Sequence, residues 1–202
     1  MMAKASDGPT GASAALSALV ADAAARRGPP PVHLWNPPFC GDIDMRIARD
    51  GTWHHEGSPV GRPALVRLFA SVLRRDEGRY VLVTPVEKVG IAVEDAPFLA
   101  VEMVRAEGVV RLRTNVDDWV TLGPDHPLRF EPGPASSLKP YALVRGDLWA
   151  LVSRPVFYDL VALGEVRTIG GVDSFGIASG PSFFPMMDAA ALDALGADTA
   201  LG

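Results

Sequence analysis

The sequence has little of what several specialised protein classes require. Cys40 is the only cysteine among 202 residues, which excludes a disulfide framework and a cysteine-rich zinc site. The longest apolar runs, such as residues 14–25, are shorter than the ~20 residues that span a bilayer. A net charge of −5 provides no basic excess for binding DNA or RNA. We therefore predict a cytoplasmic protein without a membrane span or a nucleic-acid partner.

Catalytic and metal-binding signatures are missing as well. The chain has neither a nucleophile elbow nor a phosphate-binding glycine loop. His54 and His55 are adjacent, so on a strand they point to opposite faces and cannot share one metal ion with Cys40 and Asp42. We expect no catalytic residues, no metal and no other cofactor.

The chain is rich enough in apolar residues, at 48%, to bury a sizeable core. Residues 10–27 carry apolar side chains at helical spacing between Ser13, a suitable N-cap, and Gly28, a stop. Three prolines follow as an extended linker. These features predict an extra N-terminal helix with its linker, domain 1–31.

A hairpin and a helix follow. Ile43, Met45 and Ile47 alternate with polar residues, and Asp50-Gly51 is typical of a tight turn before a return strand over residues 52–56. An apolar stripe begins after Pro63 and continues to residue 73, which predicts a helix packed across the sheet. We interpret the basic residues of this region as a solvated helix face: Arg62, Arg67, Arg74, Arg75 and Arg79.

The hairpin returns later in the chain. Residues 145–149 echo residues 49–53, and an offset of 96 relates Trp53 to Trp149 and Pro59 to Pro155. An offset of 86 relates residues 90–92 to residues 176–178. The pattern predicts an internal duplication in which each tryptophan seats the helix that follows it. Function is expected where the copies differ: Ser58 against Arg154, and Glu87-Lys88 against Asp173-Ser174.

Between the two copies, short apolar segments alternate with turn residues. Strands over residues 80–84 and 86–93 are separated by Pro85, and a meander of antiparallel strands follows to residue 131. Proline and glycine between residues 131 and 139 indicate a linker, and residues 186–195 resemble a terminal helix. We predict an α+β fold with a first β-rich repeat over 32–134 and a second, shorter repeat with the C-terminal helix over 135–202.

Several blocks together resemble a bacterial family of unknown function, DUF1285, over roughly residues 29–187. The resembling blocks are residues 42–47, 49–53, 61–62, 68–70, 80–88 and 154–156. The resemblance implies two similar β-rich halves with packed helices, barrel-like or roll-like in form. It also implies a distant likeness to pleckstrin-type ligand-binding barrels, and with it a signalling role.

The charged residues of these blocks are the candidates for a ligand site. An aromatic wall at Trp53 beside a guanidinium could hold a carboxylate or phosphate if the bend at Pro85 turns a charged neighbour inward. The alternative is solvated faces and surface ion pairs, such as Asp44 with Arg46. The candidate ligand-binding residues are Arg46, Trp53, Arg62, Glu87 and Lys88.

Three functions are compatible with these features. The first is a non-catalytic module that binds a small or peptide-like, anionic ligand and takes part in signalling. The second is a hydrolase-like enzyme that uses Glu87 or Asp44 as acid or base. The third is a structural protein that forms a homodimer through a seam or an exposed edge strand.

Overall fold

The computed structural model describes residues 30–134 and 137–192, which divide after Glu94 into two compact units. The helix predicted for residues 10–27 lies outside the described residues. The described part of the chain contains fifteen strands, two α-helices and a further helical stretch at residues 189–192, so the fold is mostly β rather than α+β. The sheets curl in the manner of half-barrels. No helix of the described ranges is long and apolar enough to cross a membrane.

Unit 1 is one six-stranded sheet with a helix. Its strand order is β3-β2-β1-β6-β5-β4, and β1 runs parallel to β6. A 3-10 turn (Val32–Leu34) precedes the sheet and lies against the edge strand β4. The elements are β1 (Phe39–Ile47), β2 (Trp53–His55), β3 (Ser58–Pro59), α1 (Pro63–Ser71), β4 (Leu73–Asp76), β5 (Arg79–Val83) and β6 (Lys88–Val93).

The predicted hairpin and helix of unit 1 are confirmed. Met45 and Ile47 are buried at alternate positions of β1, as expected for one apolar face. Trp53 is 1% exposed and stacks on Phe69 of α1 with ring centroids 6.0 Å apart. Trp53 therefore seats the helix that follows it.

The end of α1 differs from the prediction. Residues 73–76 form the strand β4, so Arg74 and Arg75 lie on a sheet and not on a helix face. The helix ends because the Val72 N–H bonds back to the Phe69 carbonyl, and the chain then turns at Glu77 and Gly78. Both turn residues have positive φ, 49° and 86°, which matches the twist of a tight hairpin between β4 and β5.

Unit 2 contains two sheets. One has the order β10-β11-β12-β7-β8-β9, with β7 parallel to β12, and the other is the meander β13-β14-β15. The elements are β7 (Phe98–Ala106), β8 (Val109–Thr114), β9 (Trp119–Thr121), β10 (Leu128–Pro132), β11 (Leu138–Arg145), β12 (Leu148–Val152), α2 (Arg154–Ala162), β13 (Glu165–Ile169), β14 (Val172–Ser179) and β15 (Ser182–Asp188).

The two units repeat the same local order of hairpin, helix and three-stranded meander. The predicted residue matches are only partly right, because Pro59 lies in β3 whereas Pro155 lies in α2. Likewise residue 90 lies in the third meander strand and residue 176 in the second. Trp149 is half-buried under the guanidinium of Arg129, 3.9 Å from the ring centroid, so it does not repeat the helix contact of Trp53.

The predicted boundary at 134/135 is a hairpin loop inside unit 2. Leu128 pairs with Ala142 across β10 and β11, and the Gly133 N–H bonds to the Ser137 carbonyl at 2.7 Å. Proline and glycine serve a tight loop as well as a linker, so composition alone could not separate the two. The division lies instead after residue 94.

The predicted helix over residues 186–195 is wrong at its start. Residues 182–188 form β15, which pairs with β14 and buries Phe184 to 7% exposure. Helical conformation occurs at residues 189–192, and the remainder of the predicted helix lies outside the described residues.

Ser179 connects the β13-β14-β15 meander to the six-stranded sheet of unit 2 through two hydrogen bonds. Ser179 is 1% exposed, and its hydroxyl accepts a hydrogen bond from the Val110 N–H at 3.0 Å and donates one to the Leu122 carbonyl at 2.7 Å. A buried backbone group without a partner costs stability, so both bonds matter.

We predict that Ser179→Ala lowers the free energy of unfolding by about 2 kcal/mol, since it leaves a buried N–H and a buried C=O unpaired. Urea denaturation followed by amide exchange in β8 measures the loss. Ser182→Ala is the matched control, because Ser182 faces Ser179 in register and its hydroxyl bonds to no described residue. Equal losses in the two variants would contradict the assignment.

Candidate functional site

Three of the predicted ligand-binding residues do not converge in unit 1: Trp53 pairs with Ile47, the neighbour of Arg46, so the side chains of Trp53 and Arg46 lie on opposite faces of the sheet. Trp53 is buried beneath α1 and offers no surface to a ligand. Arg62 is exposed at the N-cap of α1. Arg46 forms an ion pair with Glu94 beside β1. None of the three lines either of the two cavities described for this chain.

The bend predicted at Pro85 is present and separates the remaining two candidates. The Thr84 hydroxyl accepts hydrogen bonds from the Val86 and Glu87 N–H groups, at 3.2 and 3.0 Å, and so builds the turn before β6. Glu87 stays in this turn, whereas the Lys88 ammonium reaches a carboxylate oxygen of Asp76 at 2.9 Å. Lys88 is therefore the predicted residue that the fold directs into a cavity.

This cavity, the Lys88 cavity, has a volume of about 590 Å³ and lies within unit 1. β4, β5 and β6 are adjacent strands, so their ends and the loop before β1 contribute its walls. The lining residues are Asn36, Phe39, Arg75, Asp76, Glu77, Arg79, Val81 and Lys88. Three are cationic and two are anionic, which leaves one net positive charge.

Asp76 fixes one side of the Lys88 cavity. Arg74 donates two hydrogen bonds of 2.6 Å to the two Asp76 oxygens, and Lys88 donates a third. The same guanidinium donates to the carbonyls of Val32 and Trp35, both at 2.6 Å. The Arg74 hydrogen bonds, and then those of Lys88, hold the pKa of Asp76 at about 2, below its usual 3.8. The entry segment, residues 32–35 before β1, is thus joined to the edge strand β4 and to Lys88 through Arg74 and the Asp76 carboxylate.

The opposite side combines an aromatic ring with a guanidinium. The Arg79 guanidinium lies 5.2 Å from the Phe39 ring centroid and 3.2 Å from a carboxylate oxygen of Asp42. Gly90 allows this approach, because a Cβ at that position would overlap the Asp42 carboxylate. Arg79 remains 61% exposed, so its donors stay accessible to a ligand.

The arrangement expected from the sequence, an aromatic ring beside a guanidinium, is present in the Lys88 cavity with different residues. Phe39 stands in place of Trp53, and Arg75 and Arg79 stand in place of Arg62. Sequence reasoning missed them because it placed Arg75 on a helix and could not see that β1 pairs in parallel with β6. The turn pair at residues 77–78 was the one local signal that could have revealed β4.

A metal centre is not supported by the arrangement of donors. Among the described residues, no group of three or more His, Cys, Asp or Glu side chains is placed to hold a metal ion. Cys40 is exposed and unpaired.

Comparison with known proteins identifies two family models. The DUF1285 N-terminal domain, a domain of unknown function, matches residues 30–96. The C-terminal domain of the same family, a protein of unknown function, matches residues 97–186. Their junction lies within two residues of the division between the structural units. Among proteins with curated functions, none matches the chain.

Two crystal structures are similar. A DUF1285 family protein from Silicibacter pomeroyi DSS-3 is 51% identical, with 87% of this chain and 97% of that chain covered and a TM-score of 0.78. A DUF1285 family protein from Shewanella baltica OS155 is 27% identical, with 59% of this chain and 91% of that chain covered and a TM-score of 0.49.

We predict that Asp76→Asn destabilises unit 1 by about 1–2 kcal/mol at about pH 7. Because the folded-state pKa is depressed from 3.8 to about 2, this stabilisation is complete above about pH 4 and is lost as the pH falls through about 2. The difference in the free energy of unfolding between wild type and Asp76→Asn should therefore disappear as the pH is lowered. Urea denaturation followed at β5 amides measures it.

Glu77→Gln serves as the control for this pH series, since Glu77 is exposed and adjacent but forms no ion pair with a described residue. Glu77→Gln should change the free energy of unfolding little both at about pH 7 and at about pH 2. A gap between Asp76→Asn and wild type that is constant from about pH 7 to about pH 2 would show that the Asp76 charge contributes nothing.

Proposed function

We propose that this chain, which belongs to the DUF1285 family, is a non-catalytic module that binds a small anionic ligand in the Lys88 cavity. The observation that carries the proposal is the pairing of the Phe39 ring with an accessible Arg79 guanidinium in one cavity. The signalling part of the proposal rests on the distant likeness to pleckstrin-type barrels that the resemblance implies.

The size and charge of the Lys88 cavity support a small ligand. Its volume of about 590 Å³ lies within the roughly 300–1,000 Å³ of ligand pockets. A guanidinium presents a planar fork that fits a carboxylate or phosphate. Arg75 lies near the Tyr80 ring, 5.3 Å from its centroid, and adds a second cation to the wall. Phe39 and Val81 provide apolar surface for a flat part of the ligand.

The wall of the Lys88 cavity is preorganised in the absence of a ligand. The Arg74–Asp76–Lys88 contacts join β4, β6 and the entry segment, so the wall needs little reordering on binding. Binding to a prearranged wall loses less conformational entropy than binding to a loose one. This preorganisation favours a role in ligand binding for the charged residues of the Lys88 cavity.

The hydrolase-like alternative receives less support. A general acid at neutral pH needs a raised pKa. Asp50, Asp76 and Glu94 each have a lowered pKa because they accept hydrogen bonds. Asp44 is exposed on β1, and Glu87 lies in the turn before β6. The homodimer stays a prediction, which sedimentation over a range of concentrations would test.

We also propose that the protein acts in the cytoplasm. Its single cysteine, Cys40, is exposed and unpaired, and this suits a reducing compartment.

We predict that phenyl phosphate binds the Lys88 cavity and that Arg79→Gln weakens this binding by about tenfold or more, because a charge-assisted hydrogen bond is lost. Calorimetric titration measures the affinity, and backbone amide shifts at Phe39 and Val81 locate the site. Inorganic phosphate should bind more weakly, since it has no ring to place on Phe39.

Arg62→Gln is the matched control. Arg62 is an exposed arginine of the same unit, predicted from sequence as a ligand residue but outside the cavity. It should leave the affinity unchanged. Loss of binding in Arg62→Gln with none in Arg79→Gln would overturn the cavity assignment, and so would amide shifts that avoid Phe39 and Val81.

A further inference from the structure

Unit 2 contains a cavity of its own with a different character. This cavity, the α2 cavity, has a volume of about 570 Å³ and is lined by residues of β7, β11, β12 and the start of α2. Its wall is mostly apolar and includes Leu99, Leu138, Leu151, Val152, Phe157 and Tyr158. Such walls favour an apolar ligand body, because burial removes that surface from water.

The strand register places two of these apolar residues, Leu99 and Leu151, side by side on one face of the sheet. Leu151 pairs with Leu99 on β7 and with Tyr141 on β11, so the three residues form one row across the sheet. Residues paired directly across strands share a face, and so do residues two apart. Lys139 therefore lies on the same face as this row. Phe157 and Tyr158 of α2 complete the cavity above it.

The wall of the α2 cavity also includes polar and cationic residues. Arg154 is exposed at the start of α2, and its guanidinium forms no hydrogen bond or ion pair with any described residue. Ser153 occupies the N-cap with φ −62° and ψ 153°, but its hydroxyl does not cap the helix. Lys139, by contrast, is paired with Asp95. Arg154 therefore supplies the uncompensated charge of the wall.

We propose that the α2 cavity is a second binding site, for an amphipathic monocarboxylate. The apolar walls would enclose the hydrocarbon part, and Arg154 would hold the carboxylate through its planar fork. The Ser153 hydroxyl is free to donate to the same carboxylate. One uncompensated cation matches one carboxylate, and the large apolar share of the wall distinguishes this ligand from the one proposed for unit 1.

The two sites can be tested separately. The α2 cavity and the Lys88 cavity share no lining residue and lie in different units. Failure of phenyl phosphate to bind unit 1 therefore says nothing about unit 2.

The test uses the full chain and three ligands: hexanoate, octanoate and 1-octanol. Calorimetric titration should give one saturable site, and octanoate should bind up to about fifteenfold more tightly than hexanoate because two methylenes are added. 1-Octanol should bind more weakly than octanoate, since it lacks the carboxylate. Amide shifts should appear at Leu99 and Leu151 and not at Val81.

Two pairs of variants separate charge from apolar contact. Arg154→Gln should weaken octanoate by about tenfold and leave 1-octanol unchanged. Arg105→Gln removes another exposed arginine of unit 2, outside the cavity, and should change neither ligand. Tyr158→Ser should weaken both ligands, whereas Asp159→Ser, its exposed neighbour on α2, should weaken neither.

Three results would overturn the proposal. Wild type could bind octanoate and 1-octanol with equal affinity, or it could bind octanoate no more tightly than hexanoate. The third is an equal change in octanoate affinity in Arg154→Gln and Arg105→Gln. All four substituted side chains are exposed, so the variants should fold, and matching thermal unfolding curves verify it.

Discussion

The Asp76 carboxylate is the contact on which the order of unit 1 depends. Three charge-assisted hydrogen bonds converge on it from Arg74 and Lys88, and Arg74 extends them to the carbonyls of the entry segment. Hydrogen bonds from Arg74, and then from Lys88, favour the ionised form of this carboxyl group and lower its pKa to about 2. The cavity above it takes its shape from β4 and β6, the two strands that this network connects.

The candidate sites follow from strand register more than from any sequence motif. Parallel pairing of β1 with β6 brings Phe39 beside Lys88, and parallel pairing of β7 with β12 brings Leu99 beside Leu151. Each pairing joins segments about fifty residues apart, too distant for local patterns to report. The two cavities differ in chemistry because charged side chains dominate one wall and apolar ones the other.

The two units share the order of their secondary-structure elements, but equivalent residues make different contacts. Trp53 is buried against α1, while Trp149 is half-buried beside Arg129 and donates its indole N–H to Asp147. Where the sequence copies differ, Lys88 and Arg154 each line a cavity. A tryptophan is free to change partners when the surrounding sheet changes, because an apolar ring packs against many surfaces.

The sequence by itself determined the local elements: the alternation of Met45 and Ile47, the Asp50-Gly51 turn, the helix beginning at Pro63 and the break at Pro85. Each depends on neighbouring residues, through side-chain periodicity, positive φ or a missing N–H. It also determined the family. Tertiary structure alone decided that residues 73–76 form a strand, that the units divide after Glu94 and that Phe39, Arg79 and Lys88 share a cavity. Those outcomes depend on pairing between distant strands, and no window of local sequence contains both partners.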